Sequence, residues 1–208
     1  MNNFWLWFST GLQHITDLGG YDHILFVTLL SISYTFSSLK KLLAMITAFT
    51  LGHSISLALS IIGDLNINTA LIEFLIAFSI FITAIYCLKV KENSNAKCLP
   101  AGLPAEGMKA GKAGIYLIVI FFGLIHGTGF SYLLKAMLGK EEAIAGPLLY
   151  FNLGLEAGQL LIVLAVLSLN FAMSFIKPIP FKVYKIVVVS LIGVIALKMC
   201  MERLIVLS

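Results

Sequence analysis

The chain has 208 residues, 60% of them hydrophobic and only 12% charged, with a net charge of +4 and a mean hydropathy of +1.00. A water-soluble domain carries about 25% charged residues, so the composition excludes an ordinary soluble fold and describes an all-α integral membrane protein in contact with the lipid bilayer. The length allows one membrane domain over 1–208, not two, and nucleic acid is not an expected partner.

In chain order, the N-terminal stretch lacks the basic region and small-residue cleavage site of a signal peptide. Its Phe4, Trp5, Trp7 and Phe8 predict an interfacial aromatic anchor. Six apolar segments follow, over about 21–37, 41–62, 67–89, 113–138, 143–171 and 182–205. Each is near the ~20 residues that cross a bilayer, which predicts a polytopic bundle of about six transmembrane helices. Polar breaks separate them. Asp64 caps the turn in "GDLN", and the one long polar loop covers about 90–112. Three cysteines (Cys87, Cys98, Cys200) show no CxxC spacing and predict neither a disulfide framework nor a zinc knuckle.

With six spans, alternate loops share a side. One side carries Lys40, Lys41, Lys89, Lys91, Lys97, Lys109, Lys112, Lys177, Lys182 and Lys185, and the other only Lys135, Lys140, Lys198 and Arg203. The lysine-rich side is expected to be cytoplasmic. Both termini then face the periplasm of a bacterial inner membrane.

The chain has four histidines: His14, His23, His53 and His126. None falls in the long polar loop. Glu92, Glu106, Glu141 and Glu142 are loop residues, whereas Asp22, Glu73 and Glu156 fall in or at apolar segments. A carboxylate in hydrocarbon costs several kcal/mol unless it is paired, protonated or bound to a metal. At about 1.5 Å per residue, His53, His126 and Glu156 share a level near mid-membrane. Asp22, His23 and Glu73 lie toward the outer face. One outward-facing polar cavity accounts for all of them.

The helix faces fit that cavity. Asn152, Glu156 and Gln159 form an i, i+4, i+7 stripe. Thr47, Thr50, His53, Ser54 and Ser56 give a polar face to the second span. Small residues (Gly123, Gly127, Ser131; Gly154, Gly158) allow helices to approach closely. Glu73 also fits a cap or a snorkelling group, and Asn152 and Gln159 also fit plain inter-helix hydrogen bonds. His14 lies about 180° from His23 on a continuous helix. It joins the site only if Gly19-Gly20 breaks that helix. A weak internal echo, F-x-L-x-H, links "FTLGHS" (49–54) to "FGLIHG" (122–127).

Imidazole nitrogens beside carboxylates suit borderline divalent metals, namely nickel, cobalt, zinc, copper(II) or iron. No thiol or thioether cluster favours copper(I), and the set is too rich in nitrogen for magnesium or calcium. A proton relay uses the same residue types.

The motifs "GLQHITDLGGYDHILFVTLL", "FTLGHSISLAL", "IEFLIAFSI", "FGLIHGTGF" and "FNLGLEAGQ", in this order, resemble the HupE/UreJ family of small membrane proteins from Gly11 to about Leu161. The resemblance implies a secondary permease linked to nickel or cobalt supply for hydrogenase and urease. It places the family's histidine-and-aspartate element on His14, Asp22 and His23. The spacing here is longer than the H-x5-DH of the nickel-linked members. Their His-Gly element with a downstream His-x-x-Glu is matched only in part, by His126-Gly127, and Glu156 falls instead in "NLGLE" on the next helix. These departures mark a divergent branch.

Two functions fit the residues best, beside a structural or sensory metal site with no flux. In the first, a permease, an ion entering from outside is held by His23, His53, His126, Asp22 and Glu156, with His14 a candidate. Thr50, Ser54, Asn152, Gln159 and Glu73 form the polar shell. No GxxxxGK[ST] motif supplies a nucleotide drive. In the second, an intramembrane zinc hydrolase, the same site keeps one position for water, with Glu156 or Asp22 as general base. The sequence leaves the metal and the oligomeric state open, a homo-oligomer included.

Overall fold

A computed structural model describes residues 4–63, 68–89, 112–138, 144–175 and 180–207. The long loop with Cys98, Glu92 and Glu106 lies outside the described residues, as do Asp64, Glu141 and Glu142. Among the described residues there are seven α-helices and no strand. They are α1 (Phe4–Thr16), α2 (Asp22–Ser31), α3 (Leu39–Ile62), α4 (Thr69–Lys89), α5 (Lys112–Leu138), α6 (Ala145–Met173) and α7 (Phe181–Leu207). The five helices α3 to α7 are long and apolar enough to cross a membrane. Their bounds follow the predicted segments to within about two residues.

The first predicted span, 21–37, is corrected. The helix there, α2, has only ten residues, about 15 Å at 1.5 Å per residue, too short to cross alone. The stretch before it is not only an anchor. It forms α1, whose Trp7 is buried in the core while Trp5 is exposed. Between the two helices the Asp17 side chain accepts a hydrogen bond from the Gly19 amide at 2.9 Å. Such a side-chain turn competes with helix continuation, and the chain re-enters a helix at Asp22, whose charge suits a helix N-terminus.

Glycines define how the helices pair. A methyl on Gly11 would strike the Phe151 carbonyl, and one on Gly154 the Phe8 carbonyl. Likewise Gly52 meets the Ile120 carbonyl and Gly123 the Phe49 carbonyl. One turn further along, Gly158 meets Ile15 and Gly127 meets Ser56, so the contacts advance together and α1 runs parallel to α6 and α3 parallel to α5. Backbones approach this closely only where no Cβ intervenes. The sequence repeats with the geometry: "FSTG" (8–11) matches "FTLG" (49–52), and "GLEAG" (154–158) matches "GLIHG" (123–127). The echo between α3 and α5 thus joins two helices that pack on each other.

The two pairs point in opposite directions. One core cluster joins Trp7 and Ile15 of α1 and Phe151 and Leu155 of α6 to the C-terminal parts of α3 and α5 (Leu57, Leu134, Leu138). The other joins α2 to the N-terminal parts of α3 and α5 (Leu42, Met45, Val119) and the C-terminal part of α6 (Val163, Leu167). A third pair, α4 with α7, is antiparallel: Glu73 near one end of α4 meets Arg203 near the far end of α7, and Ala84 meets Gly193.

α1 and α2 lie end to end along α6. The Asn170 side chain, near the end of α6, donates to the carbonyls of Ile32 and Tyr34 just past α2, both at 3.1 Å. This satisfies carbonyls that a helix end leaves open. The two short helices form one discontinuous segment, with the break at 17–21 exposed along a cavity.

Candidate metal centre

The break brings α1 and α2 together at their imidazoles. The rings of His14 and His23 are 4.6 Å apart, centroid to centroid. His53, from the middle of α3, lies 5.8 Å from His14 and 5.9 Å from His23. One ring nitrogen from each of these three lies within 4.8 Å of the others. His126 of α5 extends the group, 5.3 Å from His23. Two nitrogens on one ion at about 2 Å cannot be more than about 4 Å apart, so holding one ion would need the trio to draw in by less than about 1 Å.

The tautomers are set by neighbours. Nδ1–H of His23 donates to Asp22 Oδ1 at 3.1 Å, and Nδ1–H of His126 donates to the Phe122 carbonyl at 2.8 Å. Each leaves Nε2 with its lone pair free. Such carboxylate or carbonyl support is what metal-binding imidazoles commonly have. Nε2 of His14, His23 and His126 and both ring nitrogens of His53 are buried with no hydrogen-bond partner. Buried polar atoms are nearly always partnered, so this concentration of free lone pairs in one place calls for a ligand.

Aromatic rings wall the group. Phe130 lies 3.9 Å from His14, Phe151 stacks beside His53, and Phe49 and Phe26 flank His126 at 5.1 and 5.2 Å. A cavity of about 270 Å³ leads to it, lined by His14, Asp22, His23 and His126 and, toward the opening, by Asp17, Glu73, Glu202 and Arg203.

His14, His23, His53, His126 and Asp22 therefore come together, and the expected break at Gly19-Gly20 is what admits His14. Glu156 does not join them. Its Oε1 accepts from Thr47 of α3 at 3.0 Å. Gln159, fully buried, meets the Thr50 hydroxyl at 2.8 Å, so this stripe stitches α6 to α3. Ser54 bonds the Thr50 carbonyl in its own helix. Asn152 keeps a buried, unpartnered Oδ1. Glu73 pairs with Arg203 at 2.8 Å. Arg203 was counted by sequence only as a charge on one side. Its spacing from Glu73 carries no local signal, because the two lie on helices far apart in the chain.

A discontinuous helix meeting two long helices at a buried imidazole cluster defines a polytopic helical membrane protein equipped to handle a metal ion. The chain belongs to the HupE/UreJ family: the profile described as HupE / UreJ protein matches residues 1–203. Neither a curated protein nor a solved structure gives a match. Membership implies a metal-handling role in the membrane.

Proposed function

We propose that the protein is a permease for a divalent transition-metal ion, nickel or cobalt by its family, with zinc compatible with the same donors. His14, His23 and His53 supply the first nitrogens. His126 and Asp22 complete or support the set. The observation that carries this reading is the trio of ring nitrogens, drawn from three separate helices, within 4.8 Å of one another. Neutral imidazoles bind a dication without a proton to expel, and Asp22 beside His23 offsets part of its charge.

The surroundings favour transport over hydrolysis. The imidazoles come from both oppositely directed helix pairs (His14 from α1·α6, His53 and His126 from α3·α5), with His23 on α2. Rocking of two inverted units about a site at their seam is a common basis of alternating access. The hydrolase reading loses one of its two candidate bases, since Glu156 is engaged by Thr47. Because α1 and α2 together count as one crossing, six crossings remain. The lysine asymmetry then keeps both termini on the periplasmic side of a bacterial inner membrane.

The test is purification of the full chain, measurement of bound metal, and uptake of nickel, cobalt and zinc into proteoliposomes. One ion per chain that crosses the bilayer, with both properties lost in the His14→Ala/His53→Ala variant, is the expected result. A bound ion that never crosses refutes transport.

A further inference from the structure

The cavity's opening contains an ion pair that the metal site does not use. Glu73 on α4 and Arg203 on α7 meet at 2.8 Å, with side chains 37% and 45% exposed. His23 and His126, at 3% and 1%, lie at the buried end of the same cavity. Within this cavity an ion moving from the opening to the imidazoles passes this pair; a second cavity reaches His14 past Asp17 and Phe130.

Among the described residues, the other lining carboxylates face other partners, and none of them meets Arg203. Asp17 holds the Gly19 amide, Asp22 holds His23, and Glu202 lies 3.6 Å from Lys198. Among the described lining residues, Arg203 is the one side chain with a permanent positive charge. A guanidinium stays charged at any working pH. Left without Glu73, it would repel every cation approaching the cavity.

Resting on the metal-ion reading above, we propose that Glu73 is the entry carboxylate for the arriving ion and that Arg203 is a tethered cation competing with it for that carboxylate. The competition sets specificity by charge. At equal distance a dication is attracted to Glu73 about twice as strongly as a single positive charge. A divalent ion displaces Arg203; sodium or potassium at the same distance gains nothing over it. Once the dication moves on to the nitrogens, Arg203 returns to Glu73 and the opening is neutral again.

The probe is Ni²⁺ added to the purified full chain in detergent. Its association rate is read by stopped-flow quenching of the two tryptophans, Trp5 and Trp7, both on the helix that carries His14. Glu73→Gln is expected to slow association about tenfold, with a rate that rises as salt screens the bare Arg203. Arg203→Gln is expected to speed association and make it fall more steeply with salt. The double variant returns toward the wild-type rate. Equilibrium stoichiometry stays at one ion per chain throughout.

Association rates within twofold of wild type in every variant, whatever their melting temperatures, overturn the proposal and leave the pair as a tie between α4 and α7. Should Glu73→Gln fail to fold, Arg203→Gln decides alone, and an unchanged rate overturns the proposal. Wild-type protein that takes up no Ni²⁺, Co²⁺ or Zn²⁺ at equilibrium overturns the metal site itself and the entry role with it.

Discussion

His14 and His23 lie with ring centroids 4.6 Å apart, although on an unbroken helix their side chains would project from opposite sides. The turn from Asp17 to Tyr21, exposed along the cavity, makes the contact. Joining the two helices should therefore dismantle the site. Gly19→Ala together with Gly20→Ala and Asp17→Ala favours a continuous helix, because alanine is about 1 kcal/mol better than glycine in a helix interior. The expected outcome is a folded protein whose metal affinity, measured by competition with a chelating dye, falls at least about tenfold.

His53 and Glu156 separate a ligand from an inter-helix tie. His53→Ala removes a buried imidazole with two free nitrogens and should abolish stoichiometric metal. Glu156→Gln loses only a carboxylate bonded to Thr47 and should keep it. Metal content by mass spectrometry checks both. Loss of metal in Glu156→Gln would return that residue to the ligand set.

The contacts of Glu156 and Gln159 with Thr47 and Thr50 join the two oppositely directed pairs. A short bis-thiol cross-linker between cysteines at 47 and 156, in a chain lacking Cys87, Cys98 and Cys200, should hold the pairs together. Uptake into proteoliposomes is expected to stop while bound metal remains. Uptake that persists through complete cross-linking rules out rocking at this seam.

Gly52 and Gly123 each face a backbone carbonyl of the partner helix, whereas Gly146 meets nothing closer than Tyr150 at 3.9 Å. Gly52→Ala or Gly123→Ala should destabilise the protein by about 1–3 kcal/mol, the usual cost of overpacking, because a backbone cannot swing aside as a side chain does. Gly146→Ala should be neutral to within about 0.5 kcal/mol. Thermal unfolding in detergent compares the three.

Asn170 bonds two carbonyls just beyond α2. Asn170→Leu leaves them without that donor at a cost of about 1–3 kcal/mol. It should also loosen α2, seen as faster amide exchange around Ile32 to Tyr34.

The sequence by itself determined the solvent the protein lives in, the bounds of its five long helices, its family, and the residues expensive enough in hydrocarbon to need a purpose. These follow from composition, segment length and the few polar groups in apolar runs. It also indicated how far His53 and His126 lie along their own helices, since rise per residue is constant. What it could not give was azimuth and partner. Glu156, expected at the level of His53, lies instead beside Thr47, because α6 brings Phe151 to His53. Asp22 and His23, expected toward the outer face, meet His14 and His53. Whether α1 and α2 formed one helix or two depended on a local contest between helix continuation and the Asp17 turn. Only the glycine-tight packing of α1 on α6, with Asn170 holding the far end of α2, decided it. The Glu73–Arg203 pair likewise exists only because α4 and α7 pack antiparallel, a fact of tertiary structure that no local pattern records.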